Sequence, residues 1–247
     1  MKAAVIIYPG SNCDRDCKVA LERSVDAQVS MVWHKETSLP EGLDLIVLPG
    51  GFSYGDYLRC GAMAALSPVT RAVVDAAKAG VPVLGICNGF QALIKTGLVP
   101  YGEIRDAHAD APTLVHNAIG RHISCYAKTS IVSTLSPWLS NNDPGDIHAI
   151  PLSHGEGRFY ASPEIIASLA ATGQIATQYC DADGVRSMDI AINPNGSLAA
   201  IEGITSPCGR VLGKMGHSER AGSKVAKNIP GEKHQPIFTA GVGYFQV

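Results

Sequence analysis

What this sequence lacks narrows the field first. No apolar run approaches the roughly 18 residues a helix needs to cross a bilayer, so a membrane span is not expected. Charge is scarce, at 17% of residues, and nearly balanced, with a net charge of −2. Neither sign is in excess, so there is no electrostatic footprint for nucleic acid or for an acidic membrane surface. No Gly-Lys-[Ser/Thr] follows any glycine-rich turn, which removes the usual phosphate-cradling nucleotide loop. The seven cysteines are odd in number and show no paired metal-ligand spacing. They suit reduced thiols in a cytoplasm better than a disulfide framework, and no metal site is expected. Cys13 and Cys17, four apart with no second Cys or His pair nearby, read as ordinary helix positions. The N-terminus enters a strand after one lysine, without a signal-peptide pattern.

What is present is a chain of 247 residues, 46% hydrophobic, enough for a sizeable core. No internal repeat, linker or low-complexity segment divides it, so residues 1–247 read as one domain. The first half alternates. Ala3 to Tyr8, Val29 to Trp33, Leu43 to Leu48 and Val81 to Ile86 are strand-like runs. Cys13 to Ser24 and Ser67 to Ala79 read as helices, the second capped by Ser67, with Pro68 at its first position and Gly80 closing it. Continuous apolar strands alternating with helices predict an α/β fold with a mostly parallel central sheet covered on both faces. Sites in such sheets gather at the carboxyl ends of strands, here the turns after Tyr8, Leu48 and Ile86.

The second half is β-rich. Asn117 to Ser133 alternates as antiparallel or edge strands do, Ile147 to Leu152 is a strand, Pro163 to Ala171 a helix and Ile175 to Tyr179 a strand. Asn193-Pro194-Asn195-Gly196 reads as a hairpin turn before a strand from Leu198 to Ile204.

The chain is organised around Gly85-Ile86-Cys87-Asn88-Gly89-Phe90-Gln91. A Gly-x-nucleophile-x-Gly sequence between strand and helix describes a nucleophile elbow, a tight turn that pushes one side chain out over the sheet. The helix N-terminus after Cys87 would favour a thiolate there. Most cysteines are inert and buried, but the flanking glycines at this spacing reverse those odds. The turn Pro49-Gly50-Gly51 could supply a backbone donor, so that the Gly51 and Asn88 N–H groups together hold the oxyanion of an acyl-transfer intermediate. Two adjacent glycines could also let that peptide flip.

A thiol nucleophile needs a base, and the base an orienting group. The histidines are His34, His108, His116, His122, His148, His154, His217 and His234; only His217 has an acid two residues on, Glu219. If the extended run Val211 to Met215 continues, period two points both side chains to one face.

Together these residues resemble the class I, triad-type glutamine amidotransferases. Pro9-Gly10-Ser11-Asn12-Cys13-Asp14-Arg15-Asp16, Gly50 to Arg59, His154-Gly155-Glu156-Gly157-Arg158-Phe159 and Asn193 to Ser197 narrow the resemblance to the glutaminase part of phosphoribosylformylglycinamidine synthase. The resemblance implies a flavodoxin-like sheet and hydrolysis of L-glutamine through a thioester on Cys87, with His217 as base and acid and Glu219 as orienter. It implies that Gln91 and the His154-Gly155 segment seat the glutamine. It implies no cofactor in this chain, with ATP and magnesium in a synthase subunit or domain that receives the ammonia for purine biosynthesis. The motifs run from residue 9 to residue 220; the tail beyond them, Ala221 to Val247, looks like an ordered extension and resembles the end of a long single-chain synthase. The polypeptide is then either a separate subunit or an excised terminal domain of a longer synthase. Many members of the family carry prolines beside the catalytic histidine; Gly216 and Ser218 stand there instead, which predicts a looser loop.

Three other readings compete: a glutaminase of another amidotransferase pathway, an intracellular cysteine hydrolase or peptidase of related fold, and a catalytically silent regulatory module. Such peptidases place a histidine directly after the nucleophile, where this chain has Asn88. A silent module has no physical need for Cys87, His217 and Glu219 together. Tyr101 to Asn117 carries no motif and is read as facing a partner.

Overall fold

The structure, a computed structural model, describes residues 1–105 and 110–244. His108 and part of the Tyr101–Asn117 stretch therefore lie outside the described residues. In chain order come β1 (Lys2–Ile7), α1 (Asp14–Val25), β2 (Gln28–Trp33), β3 (Leu45–Leu48), α2 (Ala62–Ala65), α3 (Pro68–Lys78) and β4 (Val83–Ile86). Next are α4 (Asn88–Thr96), α5 (Leu98–Tyr101), β5 (Thr113–Val115), β6 (Ile123–Ile131), β7 (Ile147–His154) and β8 (Arg158–Tyr160). The last are α6 (Pro163–Ala171), β9 (Ile175–Tyr179), β10 (Ile201–Thr205), β11 (Val211–Lys214) and α7 (Ile237–Gly243).

One nine-stranded sheet runs in the order β2-β1-β3-β4-β11-β10-β9-β6-β7, and β5 pairs with β8 in a separate ribbon. The β2-to-β11 half is parallel throughout, and the pairings from β11 to β7 are antiparallel. The β-rich second half thus extends the parallel sheet edge to edge instead of stacking on it. β3 and β4 are buried at every position, as strands covered on both faces must be. Each fully buried aliphatic side chain there contributes roughly 2 kcal/mol, which fixes the strand ends that carry the turns. In α1, Cys17 and Leu21 face the sheet four residues apart, and α3 buries Val69, Val73 and Val74.

Three local expectations are corrected. Ser67 precedes α3 but does not cap it through its side chain; its hydroxyl meets Tyr54 Oη at 2.6 Å and Met63 O at 3.2 Å. Asn193 to Gly196 does form a tight turn, closed by Gly196 N–H to Asn193 O at 3.0 Å, but no hairpin. Its amides point inward: Asn193 Nδ2 donates to Ser197 O, and Asn195 Nδ2 to Gly157 O and Tyr179 Oη. The turn residues serve as buried structural polar groups, and β10 begins only at Ile201 after a 3-10 turn. Finally, extended structure ends at Lys214, so His217 and Glu219 sit in a turn and not on a strand face.

The described part of the tail packs back on the fold. Ile237, Phe238 and Val242 of α7 are buried, and Gly241 lies so close to the Trp138 indole that a Cβ would collide with it.

Candidate active site

Three adjacent parallel strands end side by side. The register pairs Leu48 with Gly85 and Ile86 with Lys214, so the residues that follow β3, β4 and β11 emerge at one edge. The Cys87 N–H donates to Lys214 O at 2.8 Å, which locks the elbow to the segment carrying His217. Cys87 itself has φ 51° and ψ −106°, a left-handed conformation uncommon for a residue with a side chain. Gly85 and Gly89 make that bend possible by close approach: a Cβ on Gly85 would lie 2.8 Å from Gly89 O, and one on Gly89 would run into Leu48 O. The elbow expected from sequence is the elbow observed.

His217 Nδ1 lies 2.6 Å from Glu219 Oε1, with both side chains almost wholly buried. Burial alone would lower the His217 pKa. The Glu219 carboxylate opposes it most strongly, the Cys87 and Cys13 sulfurs add to that, and the imidazole is held well above its ordinary value. Among the described residues, the other ring nitrogen, Nε2, has no hydrogen-bond partner. Cys87 Sγ, only 4% exposed with its residue, points toward Ser153 O at 3.6 Å. Sequence pairing of His217 with Glu219 therefore holds, although a turn and not a strand delivers it.

The Gly50-Gly51 turn is anchored on both sides. Cys13 N–H donates to Gly50 O at 3.2 Å and Phe52 N–H to Gly10 O at 2.9 Å, so flipping the Gly50–Gly51 peptide would break the first of these bonds. Gly51 has φ 144°, and a Cβ there would lie 2.6 Å from Gly10 O. Gly50 abuts the imidazole: a Cβ would sit 2.6 Å from His217 Cε1. We expect Gly50→Ala to displace the His217 ring and reduce turnover at Cys87 about tenfold or more, since misplacements near 1 Å can cost about 100-fold. Steady-state kinetics at unchanged thermal midpoint check this.

Around Cys87 a polar wall is built from α4 and the 154–157 segment. Gln91 Nε2 donates to Glu156 O at 2.5 Å, and Gln91 Oε1 accepts from Asn88 Nδ2 at 2.7 Å. Asn88 Oδ1 accepts the Ser53 N–H at 3.1 Å, tying the 53–56 turn to the elbow. His154 is held by Asn117, which donates to the His154 carbonyl at 2.8 Å and lies 3.1 Å from His154 Nδ1. Burial first, and His217 second, push His154 down to about 3, so its ring is neutral at ordinary pH. The Gly155 carbonyl also bonds Asn117 N–H, at 2.9 Å. Within this segment it is the preceding carbonyl, Ser153 O, that reaches the thiol.

Sequence reasoning missed several members. Cys13 is no ordinary helix position: it is the N-cap of α1, and its sulfur accepts from Arg220 Nη2 at 3.1 Å beside His217. Glu156, buried, pairs with Arg59 Nε at 3.1 Å and His116 Nε2 at 3.3 Å. Only its place in the His154-Gly155-Glu156 motif could have flagged it. Among the described residues, Cys13, His217 and Glu219 form a metal-capable group, with ligand atoms within 4.8 Å of one another. The Arg220 guanidinium against Cys13 and 3.9 Å from Glu219 Oε1 opposes a cation at that point.

Fold and site together define a class: α/β enzymes that mount a thiol on a strand-to-helix elbow beside a buried imidazole–carboxylate pair. Residues 1–245 match the family described as CobB/CobQ-like glutamine amidotransferase domain. The phosphoribosylformylglycinamidine synthase subunit PurQ of Chlorobaculum parvum is 42% identical over 234 residues, 94% of this chain and 87% of that protein. The subunit PurQ of Jannaschia sp. (strain CCS1) is 46% identical over 222 residues, 90% of this chain and 89% of that protein. A chain in the structure of PurLQS from Thermotoga maritima is 33% identical, with a TM-score of 0.78 and 98% of each chain covered. The glutaminase domain of Trypanosoma brucei CTPS with bound acivicin shares the fold, at 15% identity and a TM-score of 0.56, with 98% of this chain and 92% of that one covered. The chain belongs to the glutamine amidotransferases, in the branch of the phosphoribosylformylglycinamidine synthase PurQ subunits.

Proposed function

We propose that this chain acts as one amidotransferase domain, hydrolysing L-glutamine to glutamate and ammonia for formylglycinamide ribonucleotide amidination in purine biosynthesis. The observation that carries the reading is Cys87 on a strained elbow beside a buried His217–Glu219 pair whose Nε2 has no hydrogen-bond partner among the described residues. The Cys87 sulfur attacks the side-chain amide carbon of glutamine, and its proton passes to His217 Nε2. The Gly51 and Asn88 N–H groups hold the resulting oxyanion. Collapse expels ammonia, which takes the proton back from His217 and leaves a thioester. Water, deprotonated by His217, then attacks the thioester, and glutamate departs with the thiol restored. Glu219 keeps the imidazole in the tautomer and orientation that both steps require.

Gln91 and the His154-Gly155 segment line the place where the amino-acid end of glutamine would rest, with Gln91 Nε2 bonded to the Glu156 carbonyl. ATP and magnesium, which the amidination requires, are assigned to the synthase partner. No helix among the described residues is long and apolar enough to cross a membrane, and the seven unpaired cysteines fit a reducing cytoplasm. Nothing in the charge balance favours nucleic acid. The peptidase and silent-module readings lose ground to the family membership and to Asn88, whose side chain is engaged with Ser53 and Gln91. The test is mass spectrometry after exposure to a glutamine-mimicking electrophile such as a chloroketone analogue. Modification of Cys87, blocked by excess glutamine, is the expected result; labelling of Cys13 or Cys60 instead would overturn the assignment.

A further inference from the structure

Behind the His217 turn lies a buried charged network that the steps above do not use. Lys214 at the end of β11 and Glu202 in β10 are both fully buried, with Nζ 3.3 Å from Oε1. The ammonium also donates to Gly216 O at 2.8 Å and to Ser218 Oγ at 3.0 Å, so all three of its protons are taken. Glu202 Oε1 accepts the Gly216 N–H at 2.5 Å, and Glu202 Oε2 accepts from Thr177 Oγ1. Ser218 Oγ in turn donates to Gln235 Oε1 at 2.6 Å. The two residues gripped in this way are the immediate neighbours of His217, whose N–H is fixed to Pro151 O at 2.9 Å. A second feature agrees: a Cβ on Gly216 would lie 2.6 Å from Ile150 Cγ2 and 2.9 Å from Glu202 Oε1, so the network closes only over a glycine. The loop is therefore held firmly, against the looser loop expected from Gly216 and Ser218.

A buried ion pair is often no more stabilising than an apolar pair of the same volume, so stability is a weak reason for this one. What it does provide is direction. We propose that Lys214 is a positioning residue: by holding Gly216 O and Ser218 Oγ together it sets the backbone on both sides of His217, and so the aim of Nε2 at Cys87, with Glu202 and Gln235 as its anchors. The proposal rests on the reading of His217 as the base.

The experiment compares the full chain, assembled with its synthase subunit, as wild type, Ser218→Ala, Lys214→Met and the double variant Lys214→Met/Glu202→Gln. Glutamine-dependent and ammonia-dependent turnover are measured beside the pH profile of Cys87 alkylation by iodoacetamide. Lys214→Met alone leaves the Glu202 charge unpaired and tests folding; the double variant and Ser218→Ala keep the test alive where that chain does not fold. Expected for the folded variants is a 10- to 100-fold fall in kcat with glutamine, a KM within twofold of wild type and an intact ammonia-dependent rate. The alkylation profile should differ from that of wild type, which a merely structural pair would leave in place. Wild-type kcat in the folded double variant, or equal loss of both turnovers, overturns the positioning role. Glutamine turnover surviving in Cys87→Ala would instead sink the triad reading itself, so the two failures are distinguishable.

Discussion

Cys87→Ala should reduce glutamine hydrolysis by about four to six orders of magnitude, the usual cost of deleting a covalent nucleophile that works as part of a unit. That corresponds to roughly 5–8 kcal/mol of lost transition-state stabilisation. The fold should survive, because alanine keeps the Cβ that the elbow already accommodates at φ 51° and removes only a sulfur. The assembled synthase should therefore keep its ammonia-dependent rate while losing its glutamine-dependent one. Glutamate release and amidine formation, each measured with glutamine and with ammonium salts, separate the two. Equal loss of both rates would show that Cys87 matters for structure and not for chemistry.

Replacing Glu219 by glutamine should have the next largest effect, a fall in kcat of about 100- to 10,000-fold. Without the carboxylate, burial dominates the imidazole and the forces that raise its pKa are reduced to the nearby sulfurs. Nδ1 also loses its anionic acceptor at 2.6 Å, so nothing selects the tautomer that leaves Nε2 free to accept a proton. Stability carries a second signature. A histidine whose folded pKa is raised contributes stability that is fully present below its unfolded value, about 6.5, and is lost as pH rises through the folded one. The stability gap between wild type and Glu219→Gln should accordingly be widest near pH 6 and shrink toward alkaline pH. Urea unfolding across pH 6 to 10 measures it, and a gap that grew with pH would contradict a charged pair at this position.

The elbow was legible because its signal is local. Gly85 and Gly89 are needed within a few residues of Cys87, whatever the rest of the chain does. The Gly50-Gly51 turn was legible for the same reason, though its mobility was not. The hydrogen bonds that anchor it come from Cys13 and to Gly10, some forty residues away in sequence. The Asn193–Gly196 turn misled because turn propensity is shared by hairpins and by buried amides that bond inward. Cys13 was passed over because nothing in its own neighbourhood announces a histidine more than two hundred positions later.

By itself the sequence determined the alternation of strands and helices, the elbow, and the identity of a histidine with a carboxylate two residues on. The tertiary structure alone decided that β11 lies beside β4, with Lys214 opposite Ile86, so that the segments leaving those two strands meet. Strand neighbours far apart in the chain are chosen by packing over the whole sheet, and no spacing along a sequence encodes that choice. A second pairing, β10 with β11, set Gly203 opposite Lys214 and so brought Glu202 within reach of the ammonium beside the His217 turn. A buried ammonium has a defined position only once the acceptors around it have been folded into place.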